Sequence, residues 1–328
     1  MAKKKNTALW IAILFLVAML FISVSVNLGL IVVNAIRGGM DGGAASSRPR
    51  LQEEVSSGSG HTKVLRLAVN GPIMRNVSGG GLFGVQVDMV EDLKRKIESA
   101  TADDDVAAII LEVNSPGGAV TPTDEIYRAL LDFKESREDR RIVTFVRDMS
   151  ASGSYWLAVA GDWIIAEPTS IVGSIGVIMQ SLNWSTLSER VGLSATTIKS
   201  GRNKDLLNPF VETPEEQKQL LQEMIDSLYM RFKQVVSEQR GIPLADLEPI
   251  ADGRILDADS ALEHGLIDQI GYWKDSLAYT RDLLGKEEIK VIRYKQRGNF
   301  FQVFASSSLN EITRLMHADT PRAMSIWR

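Results

Sequence analysis

Four stretches bring together residue types that could do chemistry. Met149-Ser150-Ala151-Ser152-Gly153-Ser154-Tyr155 sets a serine among small neighbours, between a β-branched run (142–146) and a short apolar run (152–160). At a strand-to-helix turn such a serine is exposed near the positive end of a helix dipole. That suits a nucleophile, and it equally suits an ordinary N-cap. Asn114-Ser115-Pro116-Gly117-Gly118 follows the apolar run 106–113. Two glycines after a proline let backbone N–H groups come close to a ligand, where they could hold a developing oxyanion; an ordinary turn has the same composition. Lys199-Ser200-Gly201-Arg202-Asn203-Lys204-Asp205 offers a base. A serine nucleophile needs one, and a lysine serves only where burial among apolar groups leaves it partly unprotonated. A hydroxyl such as Ser174 could orient it, but taken alone Lys204 reads as a surface charge. Finally, Gly79-x-Gly81-x-x-Gly84, with Asp103 some 20 residues on, matches a dinucleotide fingerprint. That fingerprint needs its glycines directly after a strand, and Gly71-Pro72 has already closed the preceding strand, so a glycine loop is expected there.

Composition narrows the chemistry further. The chain has 328 residues and no cysteine, which excludes a thiolate nucleophile, a disulfide framework and cysteine-ligated metals. The three histidines, His61, His264 and His317, lie far apart and outside any ligand spacing. His61 reads as a solvated linker residue and His264 as a structural helix-end residue beside Gly265. Lys3, Lys4, Lys5 and Arg37 are the only charges in residues 1–37; the remainder carries 33 basic against 41 acidic residues, a net of −8. That balance argues against nucleic acid as a partner.

The elements that must position these stretches alternate. Strands are expected at 64–69, 106–113, 142–146, 163–166 and 171–179. Helices are expected at 87–100, 123–136 and 152–160, with apolar residues at helical spacing in the first two (Val87, Val90, Leu93, Ile97; Ile126, Leu130, Phe133). A long helix should start at Thr213-Pro214-Glu215-Glu216, with Thr213 capping and Glu216 closing the capping box. It should run to about Arg240 and stop at Gly241, on a stripe of Leu220, Met224, Leu228, Phe232 and Val235. Such alternation predicts an α/β fold with a mostly parallel sheet.

Before this domain, residues 8–36 form an uncharged run of 29 residues, longer than the roughly 20 a membrane-crossing helix needs. It is also longer than a signal peptide's apolar region and ends at no small-x-small cleavage site, so an uncleaved anchor is expected. With three lysines ahead of it, the N-terminus is expected in the cytoplasm and the remainder outside. The expected organisation is a basic stub (1–7), an anchor (8–36), a flexible Gly/Ser-rich linker (37–63), a catalytic domain (64–285) and a C-terminal extension (286–328).

The order of these pieces resembles the signal peptide peptidase A family, the membrane-anchored serine–lysine peptidases. The matching stretches are NSPGG (114–118), SASGSYWLA (150–158), IVGSIGVI (171–178), SGRNKDLLNPF (200–210) and DGRILDADSALEHGLID (252–268). The resemblance spans about 64–284 plus the anchor, in a single copy of the domain, as in the family's short form. It implies Ser152 as nucleophile, Lys204 as general base, the Gly117/Gly118 backbone as oxyanion donor and Ser174 as the residue steadying the lysine. It also implies a crotonase-like or Clp-protease-like β-β-α superhelix after a single transmembrane helix. Ser154 departs from the pattern, since glycine is commoner there, and is the less suitable nucleophile. The implied reaction is hydrolysis of released signal peptides and other apolar peptides, with no metal or nucleotide cofactor. The implied setting is the outer face of the bacterial inner membrane, in a ring-shaped homo-oligomer whose neighbours complete each site. Two rivals remain: a crotonase-like thioester enzyme using the Gly-Gly loop without Ser152, and an inactive membrane scaffold of the same fold.

Overall fold

A computed structural model describes residues 3–40, 51–75 and 88–296. The chain divides into two compact units, 1–50 and 51–328. In the first, α1 (Lys3–Met40) is one continuous helix. Its window Ile13–Leu30 has a mean hydropathy of 2.5 and is wholly unburied, so it is long and apolar enough to cross a membrane.

The second unit is built on one mixed sheet. In chain order its elements are β1 (Leu51–Ser57), β2 (Lys63–Asn70), α2 (Met89–Thr101), β3 (Val106–Ser115), α3 (Val120–Glu135), β4 (Arg141–Ala151), α4 (Gly153–Ala158), β5 (Trp163–Ala166) and β6 (Ile171–Gly173). Then follow α5 (Ser185–Arg190), α6 (Glu215–Arg240), α7 (Leu244–Leu247), β7 (Ile255–Asp257), α8 (Ala258–Glu263), β8 (Gln269–Ile270), α9 (Trp273–Leu284) and β9 (Lys290–Gln296). The sheet order is β1-β9-β2-β3-β4-β5-β8, with β6 on β4 and β7 on β6. Among the described residues, only β1–β9 and β6–β7 pair antiparallel. β3 reads as a nearly unbroken apolar run because both sheet faces are covered. Ile109, Leu111 and Val113 join the larger core under α2, α3 and α4, while Ala108 and Ile110 face the smaller core under α9.

β4 shapes the site. Its first half, Val143–Val146, pairs with β5, and its last three residues, Met149–Ala151, pair with β6 instead. On that edge the strand therefore exchanges β5 for β6 just before Ser152.

Several expectations need correction. The stretch expected as a linker contributes β1, whose Leu51–Val55 pairs with Gln296–Ile292 of β9, so the folded domain starts at Leu51. β9 in turn lies inside the expected C-terminal extension. β1 reads as a tether because it is an edge strand with charged, half-exposed side chains and a partner at the other end of the chain. The strand expected over 171–179 ends at Gly173. The N-cap of α6 is Pro214, with no side-chain cap bond, so the expected Thr213 cap does not form. Gly241 does end α6, in the left-handed conformation. Of the α6 stripe, Phe232 and Val235 are buried, whereas Leu220 and Met224 are each 42% exposed. The glycine fingerprint 79–84 and Val87 lie outside the described residues. Asp103 is described, and its carboxylate holds Lys63 at 2.8 Å.

Candidate active site

Ser152 stands at the junction of β4 and α4, as the N-cap of α4, with φ +54° and ψ −127°. A left-handed φ in a non-glycine residue costs roughly 1–3 kcal/mol and persists only where the surroundings enforce it. Here they do. The Ser152 N–H donates to Gly173 O at 2.8 Å, and Ser152 O accepts from Tyr155 N–H at 2.9 Å and Trp156 N–H at 3.1 Å. Every residue of α4 is buried. Tyr155 donates its hydroxyl to Leu266 O at 2.8 Å, and burial pushes its pKa up. Trp156 stacks on Phe232 at 5.0 Å. The Ser152 side chain makes no cap bond to α4, so its hydroxyl is not engaged by the helix it precedes.

The Gly-Gly loop lies directly against this turn. A Cβ on Gly117 (φ +89°) would sit 2.6 Å from Ala151 O, 2.6 Å from Gly153 N and 2.9 Å from the Ser152 Cβ, so only glycine permits the approach. The two N–H groups differ. Gly117 N–H donates to Ser115 Oγ at 3.1 Å. Gly118 is exposed and its N–H has no partner among the described residues. Ile73 pins the loop from the other side: its N–H donates to Gly117 O and its carbonyl accepts from Ala119 N–H, each at 2.8 Å. α3 begins immediately afterwards, with Ala119 as an N-cap that offers no side-chain bond. The positive end of a 16-residue helix dipole is thus aimed beside the loop. Gly153 N–H, first in α4, lies outside that helix's own hydrogen-bond ladder.

Ser174 is joined to Ser152 through one residue. Ala151 pairs with Gly173, and Ser174, at φ +52°, donates its N–H to Arg254 O at 2.7 Å. Of three described non-glycine residues with positive φ, two are these neighbouring serines. Beyond Ser174 lies a shallow cleft of about 280 Å3, lined in part by Gly176, Val177, Ile225 and Tyr229.

Lys204 stands apart. It is exposed, in a turn closed by its N–H to Gly201 O at 3.1 Å, and no hydrogen bond links it to Ser152 or Ser174. Its neighbouring cations are paired. Lys199 donates to Asp205 Oδ1 at 2.5 Å, a bond that holds the Asp205 carboxyl below its ordinary pKa, and Arg202 meets Glu216. The Lys204 ammonium has no ion pair among the described residues.

The sequence model of peptidase family S49 matches residues 134–287. A protein of Enterococcus faecium carrying the name signal peptide peptidase SppA is 36% identical over 262 residues, 79% of this chain and 73% of that one. The chain belongs to peptidase family S49. A protein of Methanocaldococcus jannaschii named as a protease is 34% identical over 223 residues, 66% of this chain and 68% of its own length. The chloroplastic serine protease SPPA of Arabidopsis thaliana is 29% identical over 195 residues, 59% of this chain and 28% of its own. As an S49 peptidase the chain has the mixed α/β superhelical fold behind an N-terminal apolar helix that the resemblance implied.

Four residues that build this candidate site escape a reading of the sequence. Ile73 lies past a turn that reads as the end of a strand, yet its backbone carries the glycine loop. Ser115 reads as part of a turn motif rather than as the acceptor that turns Gly117 N–H aside. Thr123, fully buried, closes over Gly153, where a Cβ would lie 2.6 Å from its Oγ1. The Gly153 N–H could have been found as the amide directly after the serine at a strand-to-helix turn, the place where a serine nucleophile's oxyanion donor would stand.

Proposed function

We propose that this S49 peptidase is a serine endopeptidase working through a Ser152–Lys204 dyad. Neutral Lys204 Nζ takes the Ser152 Oγ proton as Oγ attacks the peptide carbonyl carbon. The resulting oxyanion is held by Gly118 N–H and Gly153 N–H, which makes Gly118 rather than Gly117 the donor of the pair. Lys204 returns the proton to the leaving amine, the C–N bond breaks, and water clears the acyl-enzyme by the same route. Ser174 steadies the lysine. The observation that carries this reading is the strained Ser152 turn, clamped in place against an exposed Gly118 N–H that has no partner among the described residues.

In a single chain Lys204 is exposed, whereas a lysine base needs burial. The surrounding segment supports burial by a second copy. Ile178 is 88% exposed and Ile198 96%, and Leu182, Trp184, Leu187, Val191 and Leu193 are also exposed. We therefore assign the chain to a ring-shaped homo-oligomer in which one protomer's Lys204 serves a neighbour's Ser152. The helix α1 anchors it in the bacterial inner membrane, N-terminus in the cytoplasm, with the catalytic domain outside. Its substrates are then released signal peptides and other apolar peptides.

Peptide cleavage by the full chain in detergent, compared with Ser152→Ala and Lys204→Ala, tests the dyad. Both variants should lose about 10^4-fold or more in kcat while remaining folded. The wild-type kcat/KM should rise with pH through one apparent pKa below the ordinary lysine value of about 10.4, a limb absent from Lys204→Ala. Variants as active as wild type would sink the assignment, and an intact assembly that cleaves nothing would favour the scaffold.

A further inference from the structure

We propose that Ser154 is a positioning residue that clasps the glycine loop to the nucleophile turn, holding Gly118 N–H in register with Ser152. The proposal rests on the reading of Ser152 as nucleophile and goes beyond it. β3 and β4 pair regularly through Val113↔Val146, but the next partners are Ser115↔Ser150, so three residues of β4 stand opposite one of β3. The parallel ladder is irregular at the place where the loop and the serine turn must be held together. No backbone pairing of these two strands follows Ser115↔Ser150, while Gly117, Gly118 and Ser152 all lie beyond it.

The Ser154 hydroxyl spans this gap. It is fully buried and donates its one proton in a shared bond to Ser115 O at 2.6 Å and Ala151 O at 2.8 Å. One acceptor ends β3 and the other ends β4, immediately before the nucleophile. Ser115 relays the constraint, because its own Oγ receives Gly117 N–H and thereby leaves Gly118 N–H as the amide facing the site. The two contacts explain why a hydroxyl sits where this chain departs from glycine. They also take Ser154 out of contention as a nucleophile. A displacement of well under 1 Å at an oxyanion donor is costly, since such donors act through fixed geometry in a dry site.

The test is Ser154→Ala, a nearly isosteric change, with Ser154→Gly beside it, in the full chain in detergent. The rate of phosphonylation by a fluorophosphonate, normalised to titrated sites, reads the oxyanion geometry directly. We expect a ten- to hundredfold slower reaction and a matching fall in kcat, with KM within about twofold. A merely structural role lowers the melting temperature or the number of titratable sites and leaves the rate per site alone. Ser154→Ala labelled at the wild-type rate per site overturns the clasp. A wild type that takes no label on Ser152 overturns the nucleophile reading and the clasp with it.

Discussion

The two halves of the proposed dyad sit in regions built on opposite principles. Ser152 is locked: its N–H and carbonyl are both bonded, the helix after it is wholly buried, and Gly117 approaches so closely that a Cβ on it would sit 2.9 Å from the Ser152 Cβ. The segment from Ile178 to Val211 carrying Lys204 is the reverse, with isoleucines, leucines and a tryptophan facing outward and hydrogen bonds made within itself, such as Trp184 N–H to Pro209 O at 2.6 Å, or to the start of α6. One chain can store backbone strain at Ser152 because its core over-determines the turn. Lys204, by contrast, is left exposed by the described residues. On the proposed reading, the nucleophile is a product of folding and the base a product of assembly.

Mixing breaks or sharpens this contrast most strongly. Ser152→Ala and Lys204→Ala are each expected to be inactive, so co-expressing them in equal amounts is informative. If neighbours share the dyad, about a quarter of wild-type activity returns, because half the sites receive an intact serine and half of those an intact lysine. A dyad completed within one chain gives no recovery above either parent.

Gly117→Ala attacks the locked half alone. The new Cβ meets backbone atoms at 2.6 Å from a residue at φ +89°. The loop must retreat, and kcat should fall about 10^2- to 10^3-fold while the assembly, read by size-exclusion chromatography with light scattering, stays intact. Wild-type activity here would show that the loop is not part of the machinery.

Ile198→Asp attacks the other half alone. At 96% exposure the change should leave the protomer's stability within about 0.5 kcal/mol. It should instead dissociate the assembly, and activity should fall about tenfold with it. An intact, active assembly would remove this face from the interface.

Much of the framework is legible locally. The alternation of strands and helices follows from hydrophobic period, and β5 lies at the four residues expected, 163–166. His264 is the C-cap of α8, as its glycine neighbour suggests. The serine turn is visible as small residues between a strand and an apolar helix. What escapes is what depends on partners far along the chain. β1 looks like a tether because its pairing strand begins at Lys290. Leu220 and Met224 follow a core stripe, yet among the described residues they stay well exposed.

The sequence by itself determined which residue types are available for chemistry, the α/β class and the apolar N-terminal helix, because composition and short-range periodicity carry these. The tertiary structure alone decided that Ser152 is held at positive φ, that Ile73 bonds Gly117 and Ala119, that the Ser154 hydroxyl reaches both Ser115 O and Ala151 O, and that among the described residues Gly117 N–H has a partner and Gly118 N–H has none. Each of those depends on hydrogen bonds between residues that no local spacing connects, so they exist only once the sheet has closed.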